Sequence, residues 1–254
     1  MLRICGLGIY NKLDADVVAL LRGSDIFLER YTFRISDGQL REIEEAIGKR
    51  IVELDRGSLE ERAGEFVRKA SDKDIALLVG GDPLIATTHK ILYLEAIGVG
   101  VKIEVVHSSS IFTAAIGESG LDFYRFGEVC TIADWKEGYR PVSFYDKLSC
   151  NFGNNMHTLI LLDYDSVQAR SMDHKEALRI MLDAESSKAK GIISREGMLI
   201  VMTDIGSDGM RLLYKRVNEL LDMDLDYGMC CFILHAELSE IEKEMLGIMC
   251  GLRA

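Results

Sequence analysis

Proline is almost missing from this 254-residue chain; Pro83 and Pro141 are the two present. Positive charge is also scarce, with 30 Lys and Arg against 41 Asp and Glu and a formal net charge of −11. Broad binding to a phosphate backbone needs a basic surface, so nucleic acid is not an expected partner, and the acidic balance reads first as solubility. No apolar run approaches the roughly 20 residues that span a bilayer, so no membrane segment is expected. The opening "MLRICGLGIYNK" has neither a long apolar core nor a small-residue cleavage site, and no signal peptide is expected. The six cysteines (Cys5, Cys130, Cys150, Cys230, Cys231 and Cys250) form no CxxC pair, which argues against a zinc ribbon or a dithiol redox motif. A reducing, cytoplasmic location is the simplest expectation. The five histidines show no HxxxH or HxH spacing, so no metal site is expected. A GxxxxGK[ST] phosphate loop and a nucleophile elbow are missing too.

What is present is an apolar chain, 48% hydrophobic, long enough for one large domain or two small ones and able to bury a core. The first half alternates strand and helix patterns. Strands are expected at "LRICGLGI", "DIFLERY" (25–31), "RIVEL" (50–54), "DIALLVGG" and "VKIEVV" (101–106). Helices are expected over 14–22, 37–48 and 83–97, with a further one capped by Ser58 and Glu61 in capping-box spacing. The βαβα order predicts an α/β domain on a largely parallel sheet. The polar "HSSS" (107–110) marks the expected boundary: an N-terminal α/β domain over 1–108 and a C-terminal α/β domain over 109–254. In the second half, strands are expected near 128–132, 157–163, 198–203 and 230–235, with helices over 173–188, 209–221 and 237–249. "ADWKEGYRPVSFYDK" (133–147) reads as a long loop, a frequent place for function.

Three strand exits carry glycine or hydroxyls. "CGLGIYN" places Gly6 and Gly8 after the first strand, with Glu29 about 20 residues on, where a ribose-binding acid would sit in a dinucleotide site. The third glycine of that fingerprint is Asn11 here, so a plain tight turn and a small-ligand loop both stay open. In "LLVGGDPLIATTHK", Asp82 suits an N-cap and Pro83 a first helical position. Helix initiation leaves Gly80-Gly81 unexplained, and glycines at a strand end let backbone approach a ligand. In "HSSSIFTAA" the serines are caps or ligand contacts. In open α/β sheets ligands sit beyond the strands' C-terminal ends, and exits at Gly8, Gly81 and His107 on one edge predict a pocket there. His157, opening a buried strand, and His89 are read as fold supports or as groups that orient an acceptor.

Taken together, "GLGIYNKLD", "LERYT", "GGDPLIATTH", "HSSSIFTAAIGESGLDFYRFG", "RPVSFYD" and "MHTLILLD" resemble the diphthine synthases of the tetrapyrrole-methylase superfamily in order and spacing, over about residues 1–165. The resemblance implies two α/β domains with S-adenosylmethionine in the cleft between them, and a homodimer. It implies methyl transfer to the amino group of a 3-amino-3-carboxypropyl-histidine on elongation factor 2, three transfers giving diphthine. Matched residue by residue, cofactor contacts fall on Ile9, Asp82, Ile85, Ser110, Ile111 and Leu162, with Ile205 and Cys230 carried over from the C-terminal third. No catalytic side chain is assigned: the donor arrives activated, orientation does most of the work, and water or a carboxylate can take the amine's proton. Backbone carbonyls near Gly80-Gly81 are expected to face the polarised methyl. The C-terminal third departs from the family pattern: "TDIGS" (203–207) stands where "ARxGS" is usual, and "YGMCCFILHAEL" (227–238) lacks the usual prolines. The alternatives are a methylase acting on a tetrapyrrole such as a precorrin, an S-adenosylmethionine-binding protein without turnover, and a nucleotide dehydrogenase resting on GxG and Glu29.

Overall fold

The structure is a computed structural model that describes residues 1–168 and 170–253. The chain divides into two compact units, Met1–Ile111 and Phe112–Ala254. In the first, the order is β1 (Leu2–Gly6), α1 (Ala15–Leu21), β2 (Asp25–Glu29), α2 (Asp37–Ile47), β3 (Val52–Leu54), α3 (Arg56–Glu60), α4 (Ala63–Arg68), β4 (Ile75–Val79), α5 (Lys90–Gly98) and β5 (Ile103–Val106). The strands form one parallel sheet in the order β3-β2-β4-β1-β5.

Period two explains the layering. Leu2, Ile4, Ile75, Leu77 and Val79 face a core with Phe66, Val67, Leu92 and Ala96 of α4 and α5. Their alternates Cys5, Ile26, Leu28, Ala76 and Leu78 face a second core with Leu21, Ile43 and Ile47 of α1 and α2. Strands β1 and β4 are buried throughout, as continuous apolar runs require when helices cover both faces.

The second unit begins in α6 (Ile111–Ser119) and continues with β6 (Cys130–Ile132), α7 (Ser143–Gly153), β7 (Thr158–Leu162), β8 (Tyr164–Asp165), β9 (Arg170–Ser171) and α8 (His174–Lys188). It ends with β10 (Met198–Thr203), β11 (Arg211–Arg216), α9 (Val217–Asp222), β12 (Cys230–Leu234) and α10 (Glu240–Arg253). The sheet order is β11-β10-β12-β7-β6; only β6 and β7 run parallel. Phe232, Ile160 and Val201 pack on Tyr145, Leu148, Leu178 and Met181 of α7 and α8. The fold is α/β, as expected, with a mixed rather than parallel second sheet. Among the described residues no helix is long and apolar enough to cross a membrane.

Four local expectations are corrected. Ser58 is not a cap: α3 starts earlier, and the Asp55 side chain accepts from Ser58 N at 2.7 Å. Residues 83–89 are not helical, and α5 begins only at Lys90. The Asp82 carboxylate captures the Leu84 amide (3.0 Å), and Ala86 sits at φ 55, which ends any helical path. The expected helix over 209–221 is β11 followed by α9, because Arg211–Arg216 finds β10 as an antiparallel partner. The expected loop over 133–147 holds a Lys136–Tyr139 bridge and the start of α7.

Candidate cofactor-binding site

The first unit gathers three strand exits. Gly8 and Gly81, both left-handed (φ 64 and 62), exchange backbone hydrogen bonds of 3.1 and 3.3 Å. A Cβ on Gly6 would lie 2.3 Å from the Gly81 carbonyl oxygen, and one on Gly8 would lie 2.6 Å from Ser109 Oγ. The glycines therefore let the loops after β1 and β4 meet the serine string after β5 at backbone distance. The Gly81 carbonyl already accepts from Gly8 N, which limits the role expected for it toward a methyl group.

Asp82 ties this edge together. It is buried, and its Oδ1 closes the turn onto Leu84 N. Its Oδ2 lies 2.8 Å from Nδ1 of the exposed His107 and accepts from Ser108 N at 3.3 Å. The carboxylate is thus a hub between the loops after β4 and β5 rather than a helix cap. Ile9 N donates to Ser109 Oγ at 3.0 Å, which brings Ile9 beside the same string. Ser110 is buried and Ile111 starts α6, while Ile85 is exposed on the loop that Asp82 holds. Ile9, Asp82, Ile85, Ser110 and Ile111 therefore share one sheet edge. Sequence reasoning missed the cross-links made by His107, Ser108 and Ser109; the hydroxyl run itself was the signal.

Glu29 does not wait for a ribose. It is fully buried, Oε1 accepts from Tyr31 N (2.6 Å) and Thr32 N (2.7 Å), and Oε2 accepts from Thr32 Oγ1 (2.7 Å). Burial pushes its pKa up against those hydrogen bonds. The dehydrogenase reading thereby loses its acid. The tight turn instead places Phe33 over Gly80, where a Cβ would lie 2.2 Å from the ring. His89 is buried beside Thr87 (Nδ1 to Oγ1, 2.7 Å), and burial lowers its pKa to about 4. The Pro83 carbonyl is close enough to oppose that shift, yet among the described residues Nε2 finds no hydrogen bond of ordinary geometry.

In the second unit, sheet register places Thr203, Cys230 and Leu162 in one row across β10, β12 and β7: Thr203 pairs Cys230, and Cys231 pairs Leu161. Ile205 follows β10 by two residues. Burial raises the Cys230 thiol well above its ordinary value, so it is an inert wall rather than a nucleophile. Thr203 Oγ1 is buried with no hydrogen-bond partner among the described residues. His157 lies elsewhere, fully buried: Nδ1 accepts from Ala236 N (3.0 Å) and Nε2 lies 2.9 Å from Glu242 Oε1. It pins α10 to the sheet, which is a fold-supporting role.

The model of the tetrapyrrole (corrin/porphyrin) methylases matches residues 9–198. The chain belongs to this methylase family. A diphthine synthase of Methanothermobacter thermautotrophicus is 35% identical over 254 residues, covering 99% of this chain and 96% of that protein. A protein of Arabidopsis thaliana named "Probable diphthine methyl ester synthase" is 32% identical over 269 residues, covering 97% of each. A crystal structure of diphthine synthase superposes with a TM-score of 0.85 at 28% identity, covering 99% of this chain and 96% of that one. Within the methylases this chain therefore sits among the diphthine synthases, and the similarity runs through the C-terminal third, where motif matching was thinnest.

That third shows how its departures are accommodated. Asp204, where the family string leads one to expect arginine, is left-handed (φ 48), and its carboxylate accepts from Gly228 N (3.0 Å) and Met229 N (2.8 Å). The proline-free segment before β12 is thus held by a side chain.

Proposed function

We propose that this protein is the S-adenosylmethionine-dependent methyltransferase that acts on the 3-amino-3-carboxypropyl-histidine of elongation factor 2, methylating its amino group to give diphthine in diphthamide biosynthesis. Full-length similarity to diphthine synthases carries the reading. The tetrapyrrole alternative shares the fold but not these full-length relatives. The reading includes a homodimer working in the cytoplasm on a protein substrate.

The residues suit the cofactor. Gly6 and Gly8 let the loops after β1 and β4 close on the serine string at backbone distance, Ile85 offers exposed apolar surface beside the buried Asp82, and Thr203, next to Cys230, keeps a hydroxyl with no hydrogen-bond partner among the described residues. By the family resemblance, the residues that would hold the cofactor are Ile9, Asp82, Ile85, Ser110, Ile111, Leu162, Ile205 and Cys230. When bound, S-adenosylmethionine supplies a methyl group already activated by its sulfonium. The chain's task is to fix the loops that orient donor and acceptor, since displacement at an activated carbon gains most from proximity and alignment. The acceptor amine attacks as the free base, and its proton passes to water or to a carboxylate. No nucleophile is required, consistent with Cys230 and Cys231 being buried and inert.

The Arabidopsis relative's name favours a second product, a methyl ester on the same side chain. Calorimetric titration with S-adenosylmethionine, followed by assay of S-adenosylhomocysteine release on adding the modified factor, tests the proposal. Binding with acceptor-dependent release supports it; binding without release with the modified factor supports the reading without turnover. Alkali-labile label on the product would mark the ester, and alkali-stable label the amine.

A further inference from the structure

Asp204 stands at the junction of two predicted contact segments. It immediately precedes Ile205, and its side chain holds the two residues before Cys230. The β10–β12 ladder explains why. Thr203 pairs Cys230, and the next ladder bond runs from Asp204 N to Met229 O at 2.8 Å. The left-handed turn at Asp204 then swings its own carbonyl away, and that oxygen accepts from Ser207 N (3.0 Å) and Ser207 Oγ (2.8 Å). Met229 N and the buried Gly228 N would lose an acceptor at this point. The Asp204 carboxylate replaces the diverted carbonyl: Oδ1 accepts from both amides, and Oδ2 lies 3.3 Å from Gly228 N. A buried amide left without an acceptor is costly, so the side chain decides whether this backbone keeps its place. From the opposite side Ser171 N donates to Gly228 O (2.8 Å), and Ser171 Oγ accepts from Cys230 N (3.0 Å). Residues 228–230 are therefore clamped from both flanks, with Asp204 the one member that also sets the direction of Ile205.

Resting on the cofactor reading above, we infer that Asp204 is a positioning residue for S-adenosylmethionine: its carboxylate fixes the turn carrying Ile205 against the segment carrying Cys230, and so sets cofactor affinity without taking part in acceptor recognition. Aspartate suits the position twice, since it tolerates a left-handed backbone and its short side chain reaches back to the amides.

The test compares three variants of the full chain by titration with S-adenosylmethionine and with S-adenosylhomocysteine, and by initial rates against both substrates. Asp204→Gly removes the carboxylate and keeps the left-handed backbone. It is expected to weaken both cofactor affinities roughly tenfold, the scale of one lost buried hydrogen bond. Its KM for S-adenosylmethionine should rise in step, with kcat at saturation and the acceptor KM within about twofold of wild type. Asp204→Asn keeps an acceptor oxygen and is expected to stay near wild type. Asp204→Glu keeps the charge but misplaces it, and is expected to behave as the glycine variant does; it carries the test if the glycine variant does not fold. Cofactor affinities unchanged in the folded glycine or glutamate variant would overturn the inference, as would an asparagine variant as weak as glycine. Wild-type protein that binds no S-adenosylmethionine would overturn the cofactor reading itself, whereas wild-type binding with indifferent variants would overturn the role of Asp204 alone.

Discussion

Asp82 Oδ2 lies 2.8 Å from His107 Nδ1, so one carboxylate reaches from the exit of β4 to the exit of β5, past the intervening end of β1. The same group accepts the Leu84 and Ser108 amides. It organises the edge whether or not it also touches the cofactor.

Asp82→Ala is therefore expected to release both loops. S-adenosylmethionine affinity should fall by roughly tenfold or more, since several hydrogen bonds to a charged group are lost together. Asp82→Ala with both affinity and turnover unchanged would remove the role given to Asp82.

Gly80→Ala is expected to clash with Phe33, whose ring carbon would lie 2.2 Å from the new methyl group. Overpacking of this kind costs about 1–3 kcal/mol. Urea unfolding of Gly80→Ala alone and combined with Phe33→Ala separates the effects. The account predicts that the pair loses less than the sum of the single losses; strict additivity would contradict the contact.

Glu29→Ala leaves the Tyr31 and Thr32 amides without their acceptor and frees the turn under Phe33. A loss of about 1–3 kcal/mol is expected by denaturant unfolding. Nicotinamide dinucleotides are expected to give no saturable binding in either protein, because both carboxylate oxygens are already engaged.

Much of the fold was legible because its signals are local. The unbroken apolar runs of β1 and β4 and the glycine-rich exits are visible in a few consecutive residues. The start of the expected helix, residues 83–89, was misread because Asp-Pro serves a helix start and an Asx turn equally well. What chose the turn was Ser108 and His107, 26 and 25 residues away. The β11 strand was missed because its partner strand, not its own pattern, makes it extended. The Asp204 clamp was invisible for the same reason: it exists only once β10 and β12 are paired.

Acid is expected to destabilise the fold. Burial lowers the pKa of His157, with Glu242 opposing, and lowers that of His89 to about 4. A histidine depressed on folding contributes stability that is present above its ordinary 6.5 and lost as pH falls toward the folded value. Burial alone would raise Glu242, but hydrogen bonds from Ser239, His157 and Asp122 carry it down to about 2, so its contribution is lost below the ordinary 4.5. Glu29, raised by burial, acts in the opposite sense and gains as pH falls. Between neutral pH and pH of about 5 the two histidines act against Glu29, and the melting temperature should drop; Glu242 adds its loss only below that window. His157→Gln, which can still accept from Ala236 N and donate to Glu242, should fold and show a smaller drop; an undiminished drop would contradict the assignment.

The measurement that tests the central claim most directly is the intact mass of elongation factor 2 carrying the 3-amino-3-carboxypropyl-histidine, after incubation with this protein and S-adenosylmethionine. The account predicts successive methyl-sized increments on that factor and none on a factor lacking the modified histidine. An unchanged mass, from protein that binds S-adenosylmethionine, would contradict it.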